Sequence, residues 1–270
     1  MSATEGTLPS RRLPAHLYGI LRRATGPTRW RAGCLYLGAG LLTLRQLRAA
    51  SIVRWEAYDT AECNVAEGLE DWESRVYRNV LHPSCRVLLV GCGTGRDLIE
   101  LVRLGCDVVG LEQSPMLAER ARAHLGRLGL AGLVVAEPVE SYVTSATYDA
   151  VVFSLYMYSY IIGTASRIAV LTRARAHLSP RGRIILSYAT IQPQSPVWIF
   201  LARIGSVCSG SDWWPHRGDR LHGPASQPEV LNLEHQFSPD EIARECDAAG
   251  LRVIRDEEIT PLFRFAIAAV

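Results

Sequence analysis

The sequence contains no lysine, because all 29 basic residues among its 270 are arginine. Mechanisms that need a side-chain amine are therefore excluded, which removes Schiff-base and pyridoxal-linked chemistry and the lysine of a P-loop. The seven cysteines include no CxxC pair and no spacing typical of a zinc or iron–sulfur site. We therefore expect no metal centre, and reduced thiols as in a cytoplasmic protein.

Long hydrophobic runs are also missing. The most apolar stretch, residues 33–44, is 12 residues long and is interrupted by glycines. A membrane-spanning helix needs roughly 20 apolar residues, so this stretch is too short to cross a bilayer. It also lies too far from Met1 to be expected as a secretory signal. At most, we expect it to rest on a surface as an amphipathic helix.

Acidic residues are scarce at the start of the chain. Residues 1–54 contain nine arginines and one acid, a net charge of +8, whereas the remaining 216 residues carry −6. Such a basic segment is typical of a membrane-surface or nucleic-acid arm, or of a solvated, partly helical extension. The sequence leaves these alternatives open. We expect residues 1–60 to form a basic N-terminal extension or lid.

From residue 86 onward, short apolar runs alternate with helical patterns. The runs are residues 86–90, 107–111, 133–136, 149–153 and 183–188, and the helical patterns between them include 96–104, 115–128 and 164–177. Ser114 is a good N-cap and Pro115 a good first helical residue for the second of these helices. Strands that alternate with helices predict a parallel sheet covered on both faces.

The pattern changes after the fifth run. Residues 189–236 are rich in proline and read as an insertion with a helix around residues 197–204, before a helix at 239–249 capped by Ser238. Residues 251–259 and 263–270 read as strands joined by too few residues for a crossover, so they form an antiparallel hairpin. The fold class is therefore an α/β fold, a seven-stranded mostly parallel doubly wound sheet with an antiparallel C-terminal strand. We expect it to occupy residues 61–270.

A glycine turn follows the first strand. Gly91, Gly93 and Gly95 form a GxGxG pattern after the strand and before the next helix, where backbone amides can approach a ligand closely. A dinucleotide-binding fingerprint would need a third glycine where this sequence has Arg96. The spacing therefore differs from that of NAD-binding proteins.

This turn resembles motif I of the class I S-adenosylmethionine-dependent methyltransferases, small-molecule type. Later motifs follow in the family's order, with Glu112 after the second strand, residues 136–138 after the third, residues 148–152 in the fourth and residues 178–183 before the fifth. The resemblance covers about residues 68–188 and 237–270. It implies S-adenosylmethionine as cofactor and S-adenosylhomocysteine as product. The cofactor-binding residues that it implies are Tyr58, Gly91, Cys92, Gly93, Thr94, Gly95, Glu112, Gln113, Met116, Glu137, Pro138, Ser154 and Leu155.

One position departs from the family pattern. The family usually has an acid two residues before the first glycine, where it helps to hold the methionyl ammonium, and this sequence has Leu89. Asp97 is our candidate for that charge. The alternative is that Asp97 only lies in the first turn of its helix, where the helix dipole favours an anion.

Candidate catalytic residues follow the fourth strand and the insertion. Tyr156, Tyr158 and Tyr160 could line an acceptor pocket, although aromatic residues spaced by two also occur as core packing. His235 resembles a histidine that acts as general base in many small-molecule enzymes of this type, and its alternative is an exposed loop residue. The resemblance also implies that Tyr58 closes over the cofactor.

The sequence favours methyl transfer to a small-molecule acceptor in specialised metabolism, with O-methylation ahead of N- or C-methylation. The alternatives are a membrane-surface lipid methyltransferase that uses the arginine-rich segment, and a protein of the same fold with a non-methylating or binding role. No nucleic-acid partner is expected, because the Asn/Asp-Pro-Pro-aromatic quartet is missing after the fourth strand and residues 55–270 are acidic. The oligomeric state stays open.

Overall fold

A computed structural model describes residues 12–23, 28–58, 65, 67–222, 231–238 and 240–270. The chain divides into two compact units. The first, which we call the helical unit, comprises Met1–Val53 and Pro193–Leu233. The second, the sheet unit, comprises Arg54–Gln192 and Glu234–Val270. The basic N-terminal segment and most of the proline-rich insertion therefore belong to one unit.

The sheet unit contains a sheet of seven strands among the described residues, in the order β3-β2-β1-β4-β5-β9-β8. The strands are β1 (Arg86–Val90), β2 (Asp107–Leu111), β3 (Leu133–Val135), β4 (Tyr148–Phe153), β5 (Leu178–Ala189), β8 (Arg252–Thr260) and β9 (Phe263–Ala269). The first five are parallel, and β9 runs antiparallel to both of its neighbours. The predicted fold class is confirmed, including the terminal hairpin.

Helices cover this sheet on both faces, as the alternating sequence pattern predicts. They are α4 (Asp71–Val80), α5 (Arg96–Arg103), α6 (Pro115–Leu128), α7 (Thr164–Ala176) and α9 (Glu241–Ala248), with a 3-10 helix at Met157–Tyr160. Helix α6 begins as predicted, since the Ser114 hydroxyl accepts the Leu117 amide and Pro115 follows it. Strand β1 is buried over four of its five residues, as its apolar run requires.

Strand β5 and helix α9 begin at other residues than the sequence predicts. Strand β5 begins at Leu178, because a register irregularity opposite Tyr148 absorbs the expected turn, and Gly182 permits this since a Cβ there would meet the Tyr148 carbonyl at 3.0 Å. Helix α9 begins at Glu241 rather than at residue 239, and the Ser238 amide and hydroxyl both donate to the Glu241 carboxylate at 3.2 Å. Pro239 lies outside the described residues.

The helical unit is built from α1 (Arg12–Arg22), α2 (Thr28–Gly40), most of α3 (Leu44–Tyr58) and α8 (Pro196–Ser209). Helices α2 and α8 pack closely through glycines, since a Cβ at Gly40 would overlap the Ala202 carbonyl and a Cβ at Gly205 would overlap the Leu37 carbonyl. The expectation that residues 33–44 lie on a surface is therefore wrong. The glycines that interrupt this stretch allow the two helices to approach closely.

Strands β6 (Asp219–His222) and β7 (Asn232–His235) form a separate two-stranded sheet. Among the described residues, no helix has the length and apolar character needed to cross a membrane. Within the same residues, no cluster of His, Cys, Asp and Glu side chains is suited to hold a metal ion.

Candidate active site

The candidate site lies at the carboxyl ends of β1 and β4. Val90 and Phe153 are paired neighbours at these ends, and the Ser154 amide donates to the Val90 carbonyl at 3.1 Å. The glycine turn therefore leaves β1 beside the segment that follows β4. Open parallel sheets bind ligands at this edge, where successive strands end and their connections separate.

The glycine turn adopts a backbone that other residues would strain to reach. Gly91, Gly93 and Gly95 have φ values of +71°, +53° and +103°. A Cβ at Gly91 would lie 2.6 Å from the Cγ atom of Met157, which packs over the turn. The turn therefore leaves no space for a side chain at Gly91. The backbone of the turn, rather than a side chain, borders the candidate site at this position.

Glu112 fastens the glycine turn to the end of β2. Its carboxylate accepts the Gly93 amide at 3.0 Å and the Ser114 amide at 2.9 Å, and its side chain is buried. A carboxylate oxygen can accept more than one hydrogen bond, so these contacts are compatible with further donors from a ligand. Glu112 thus lies beside the turn, where the family resemblance implies a ribose-binding acid.

A buried group of charged and polar side chains lies at the first turn of α5. We call it the Arg96 cluster, and its members are Glu73, Tyr77, Arg96 and Asp97. Arg96 Nη2 donates to Glu73 Oε1 at 2.6 Å and lies 2.7 Å from Asp97 Oδ1. The Tyr77 hydroxyl donates to Asp97 Oδ2 at 3.1 Å. Both carboxylates are fully buried. The cluster therefore holds two carboxylates against one guanidinium.

The electrostatics of the cluster are dominated by burial. Burial and the charge of Asp97 raise the pKa of Glu73 to about 7, and the neighbouring Arg96 only partly opposes them. Sequence reasoning found Asp97 but missed Glu73 and Tyr77. The sequence feature that could have revealed these two residues is their i, i+4 spacing, which places both polar side chains on the same buried face of α4.

Tyr156 adopts an unusual backbone conformation beside the turn. Its φ of +53° lies in the left-handed region, which is uncommon outside glycine, and its amide donates to the Ser187 hydroxyl at 2.8 Å. Its ring stacks on Phe263 at 3.9 Å between centroids and faces Trp72 at 6.5 Å. Burial and the charges of Glu73 and Glu70 raise the pKa of Tyr156 to about 12. The phenol therefore stays neutral at physiological pH.

Tyr158 and His235 lie in the core of the sheet unit. The Tyr158 hydroxyl donates to Glu245 Oε2 at 2.6 Å, and His235 Nε2 hydrogen-bonds with Glu241 Oε1 at 2.9 Å. Both rings pack against Phe237 and are fully buried. Burial would raise the pKa of Glu241, but the hydrogen bond and charge of His235 outweigh it and lower the pKa to about 2. Tyr158 and His235 thus lie on the same core residue, Phe237, whereas the Tyr156 ring packs on Phe263. The catalytic roles of Tyr158 and His235 stay predictions.

The other predicted site residues differ in exposure. Cys92 and Thr94 are buried in the turn, Glu137, Ser154 and Leu155 are half-buried, and Gln113, Met116 and Pro138 are exposed. The side chain of Tyr58 lies outside the described residues. Leu89, where the family pattern has an acid, is fully buried among the apolar residues on one face of the sheet. Leu89 therefore packs as an apolar core residue at this position.

The strand order, the reversed β9 and the glycine turn anchored by Glu112 define a Rossmann-like fold of the class I methyltransferase type. A family model described as "Methyltransferase domain" matches residues 58–256. The chain therefore belongs to this methyltransferase family, and the resemblance of motif I is confirmed.

Curated relatives match only part of the chain. A protein-L-isoaspartate O-methyltransferase of Methanoculleus marisnigri is 41% identical over 69 residues, which are 25% of this chain and 31% of that protein. One from Methylorubrum extorquens is 33% identical over 107 residues, covering 39% of this chain and 42% of the relative. The chain thus spans about a third to two fifths of the length of these relatives.

Solved structures match the fold over most of their length. The 1,6-didemethyltoxoflavin-N1-methyltransferase of Burkholderia thailandensis, solved with 1,6-didemethyltoxoflavin and S-adenosylhomocysteine, has a TM-score of 0.57 at 19% identity. The match covers 83% of this chain and 87% of that one. At this identity the likeness establishes the fold alone.

Proposed function

We propose that this protein transfers a methyl group from S-adenosylmethionine to a small-molecule acceptor and releases S-adenosylhomocysteine. The observation that carries this proposal is the glycine turn after β1, whose Gly93 amide is tied to Glu112 at the end of β2. The positive φ values of Gly91, Gly93 and Gly95 give a tight turn that favours glycine, as a turn whose backbone approaches a ligand closely requires. S-adenosylmethionine supplies an electrophilic methyl group on a sulfonium.

The chain's own residues fit the polar parts of this cofactor. Glu112 would bind the ribose hydroxyls, because its two oxygens suit two vicinal donors. The Arg96 cluster would attract the methionyl ammonium, because a nearby cation favours the ionised form of Glu73, and the two buried carboxylates then exceed the charge of one guanidinium. Charges interact more strongly where water is excluded, so this excess favours a cation. Asp97 is our candidate for the direct contact.

The acceptor would meet Tyr156 and Trp72. The indole N–H of Trp72 is buried, and among the described residues it has no hydrogen-bond partner. An unpaired buried donor is costly, which supports a role for it in orienting a polar group of the acceptor. Tyr156, with its strained backbone and neutral phenol, would donate a hydrogen bond rather than remove a proton.

We favour an oxygen nucleophile on the acceptor, and specialised metabolism as its setting. The relative from Methanoculleus is named an O-methyltransferase, whereas the toxoflavin enzyme is named for methylation at N1. These names point to different acceptor atoms, so the preference for oxygen over nitrogen or carbon is our proposal. General-base catalysis by His235 rests on the family resemblance, because Nε2 is engaged by Glu241 within the core.

The experiment is a two-stage assay on the full chain. Calorimetry first measures S-adenosylmethionine binding, and radiolabelled methyl transfer is then screened against hydroxyl-bearing, amine-bearing and lipid acceptors. We expect cofactor binding and labelled product with a small hydroxyl-bearing acceptor. Label in a phospholipid would favour the lipid alternative, and binding with no transfer to any acceptor would favour a non-methylating role. No cofactor binding would contradict the proposal.

Replacing Asp97 by alanine should weaken S-adenosylmethionine binding about tenfold or more, because a charge-assisted contact to the ammonium is lost. Calorimetry on the purified variant tests this. Asp97→Asn keeps the shape, so a similar loss in that variant identifies charge as the cause. Asp107→Ala is the matched control, since that exposed carboxylate lies at the opposite end of β2. Unchanged affinity in a folded Asp97→Ala protein would remove Asp97 from the site.

A further inference from the structure

Helix α8 of the helical unit exposes an apolar face that the proposed function does not use. Its members are Val197, Phe200, Ile204 and Val207, and we call them the α8 face. Their spacing of three and four residues places them on the same side of the helix. Phe200 and Val207 are 64% and 71% exposed. A row of large apolar side chains at helical spacing is more than the scattered apolar residues of an ordinary surface.

The opposite side of α8 is already occupied. Ala202 and Gly205 are buried, and α2 packs closely against both of them. The α8 face is therefore not the side that holds the helix in its unit. Its exposure is therefore a feature separate from the packing of α2 on α8.

The charge of the helical unit indicates what this face contacts. The sequence of the unit contains eleven arginines and four acidic residues, a net charge of +7, whereas the sheet unit carries −5. Helix α8 has no acidic residue, and its one charged side chain, Arg203, lies 5.1 Å from the ring of the half-exposed Trp214. Arg29, Arg31 and Arg45 of α2 and α3 are exposed.

We propose that the α8 face docks the helical unit on an anionic lipid bilayer. Phenylalanine, valine and isoleucine side chains would enter the interfacial region, while the net positive charge of the unit attracts it to anionic headgroups. A symmetric contact between the α8 faces of two copies is the disfavoured alternative, because two helical units of charge +7 would repel each other, whereas a negative surface attracts them. Docking through the α8 face would not depend on which molecule accepts the methyl group.

The test is co-sedimentation of the full chain with vesicles of phosphatidylcholine alone and of phosphatidylcholine mixed with phosphatidylserine. We expect binding to the anionic vesicles to exceed binding to the neutral vesicles at least about tenfold, and added salt to weaken it. The double variant Phe200→Gln with Val207→Gln should lose about tenfold or more of that binding. The matched control is Leu133→Gln with Val143→Gln, which replaces exposed apolar residues of the sheet unit and should bind as the wild type does.

A second measurement uses Cys208, the exposed cysteine that follows Val207. An environment-sensitive fluorophore attached there, in a Cys63→Ser background, should shift to shorter wavelength on anionic vesicles but not on neutral ones. The proposal is overturned if the wild type does not prefer anionic vesicles, or if the α8-face variant binds them undiminished. It is also overturned if the α8-face variant converts a dimer into a monomer in sedimentation velocity while the wild type ignores vesicles.

Discussion

Gly91→Ala should weaken S-adenosylmethionine binding by about ten- to a hundredfold, which corresponds to roughly 1.4–2.8 kcal/mol. Two costs act together. The new Cβ would lie 2.6 Å from Met157 Cγ, closer than such atoms approach, and alanine resists the φ of +71°. The turn can relieve both only by moving, and that displaces the backbone on which the proposed cofactor site depends. Calorimetry of the folded variant measures the effect.

Companion variants separate the two costs. Gly91→Ala combined with Met157→Ala removes the close contact and keeps the strained φ, so it should recover part of the affinity. Gly126→Ala in α6 is the matched control, because a Cβ there has open space and the helical backbone suits alanine. It should bind the cofactor as the wild type does and be slightly more stable. Wild-type affinity in Gly91→Ala would mean that the turn does not bind the cofactor.

Local patterns were sufficient to predict the turn and its surroundings. The spacing of Gly91, Gly93 and Gly95 predicts the turn, and the capping preferences of Ser114 and Pro115 predict the start of α6. The short connection between the last two strands predicts the terminal hairpin. Glu112 was found through the family resemblance, which implies an acid after the second strand. For the turn, the helix start and the hairpin, the information lies within a few residues of the feature that it determines.

Contacts between distant parts of the chain could not be predicted in this way. Arg96 meets Glu73 across 23 residues, and Arg167 meets Glu245 across 78. The packing of α2 on α8 joins segments about 170 residues apart, so residues 33–44 alone gave no sign of their partner. A single sequence contains no record of such pairs, since many arrangements satisfy the same apolar periodicity.

The tyrosines after β4 show what a spacing of two leaves open. The sequence allowed either an acceptor pocket or core packing for Tyr156, Tyr158 and Tyr160. In the structure, Tyr156 takes a left-handed conformation and a 3-10 helix follows it. Tyr156 therefore stacks on Phe263, whereas Tyr158 turns into the core toward Glu245. The charge of Glu73 in the Arg96 cluster acts on the Tyr156 phenol, whereas the Tyr158 phenol is bound to Glu245.

Glu245→Leu should lower the free energy of unfolding by about 3–5 kcal/mol, because it leaves a guanidinium in the core without its main partner. Arg167 Nε and Nη2 both donate to this carboxylate, the shortest contact being 2.6 Å, and both side chains are almost fully buried. Equilibrium unfolding in urea measures the change. Arg167→Leu with Glu245→Leu should recover much of the loss, since the buried charges are then removed together.

Tyr158 connects this ion pair to the question of catalysis. Tyr158→Phe removes the hydroxyl that donates to Glu245, and we expect a loss of about 1–3 kcal/mol in stability with methyl transfer retained. Glu100→Gln is the surface control, because its pair with Arg103 is exposed and should contribute less than about 1 kcal/mol. If Tyr158→Phe instead lowers kcat at unchanged stability, the hydroxyl acts on the acceptor and the catalytic prediction is correct. Loss of stability alone assigns Tyr158 to the support of the sheet unit, and it leaves Tyr156 as the tyrosine that meets the acceptor.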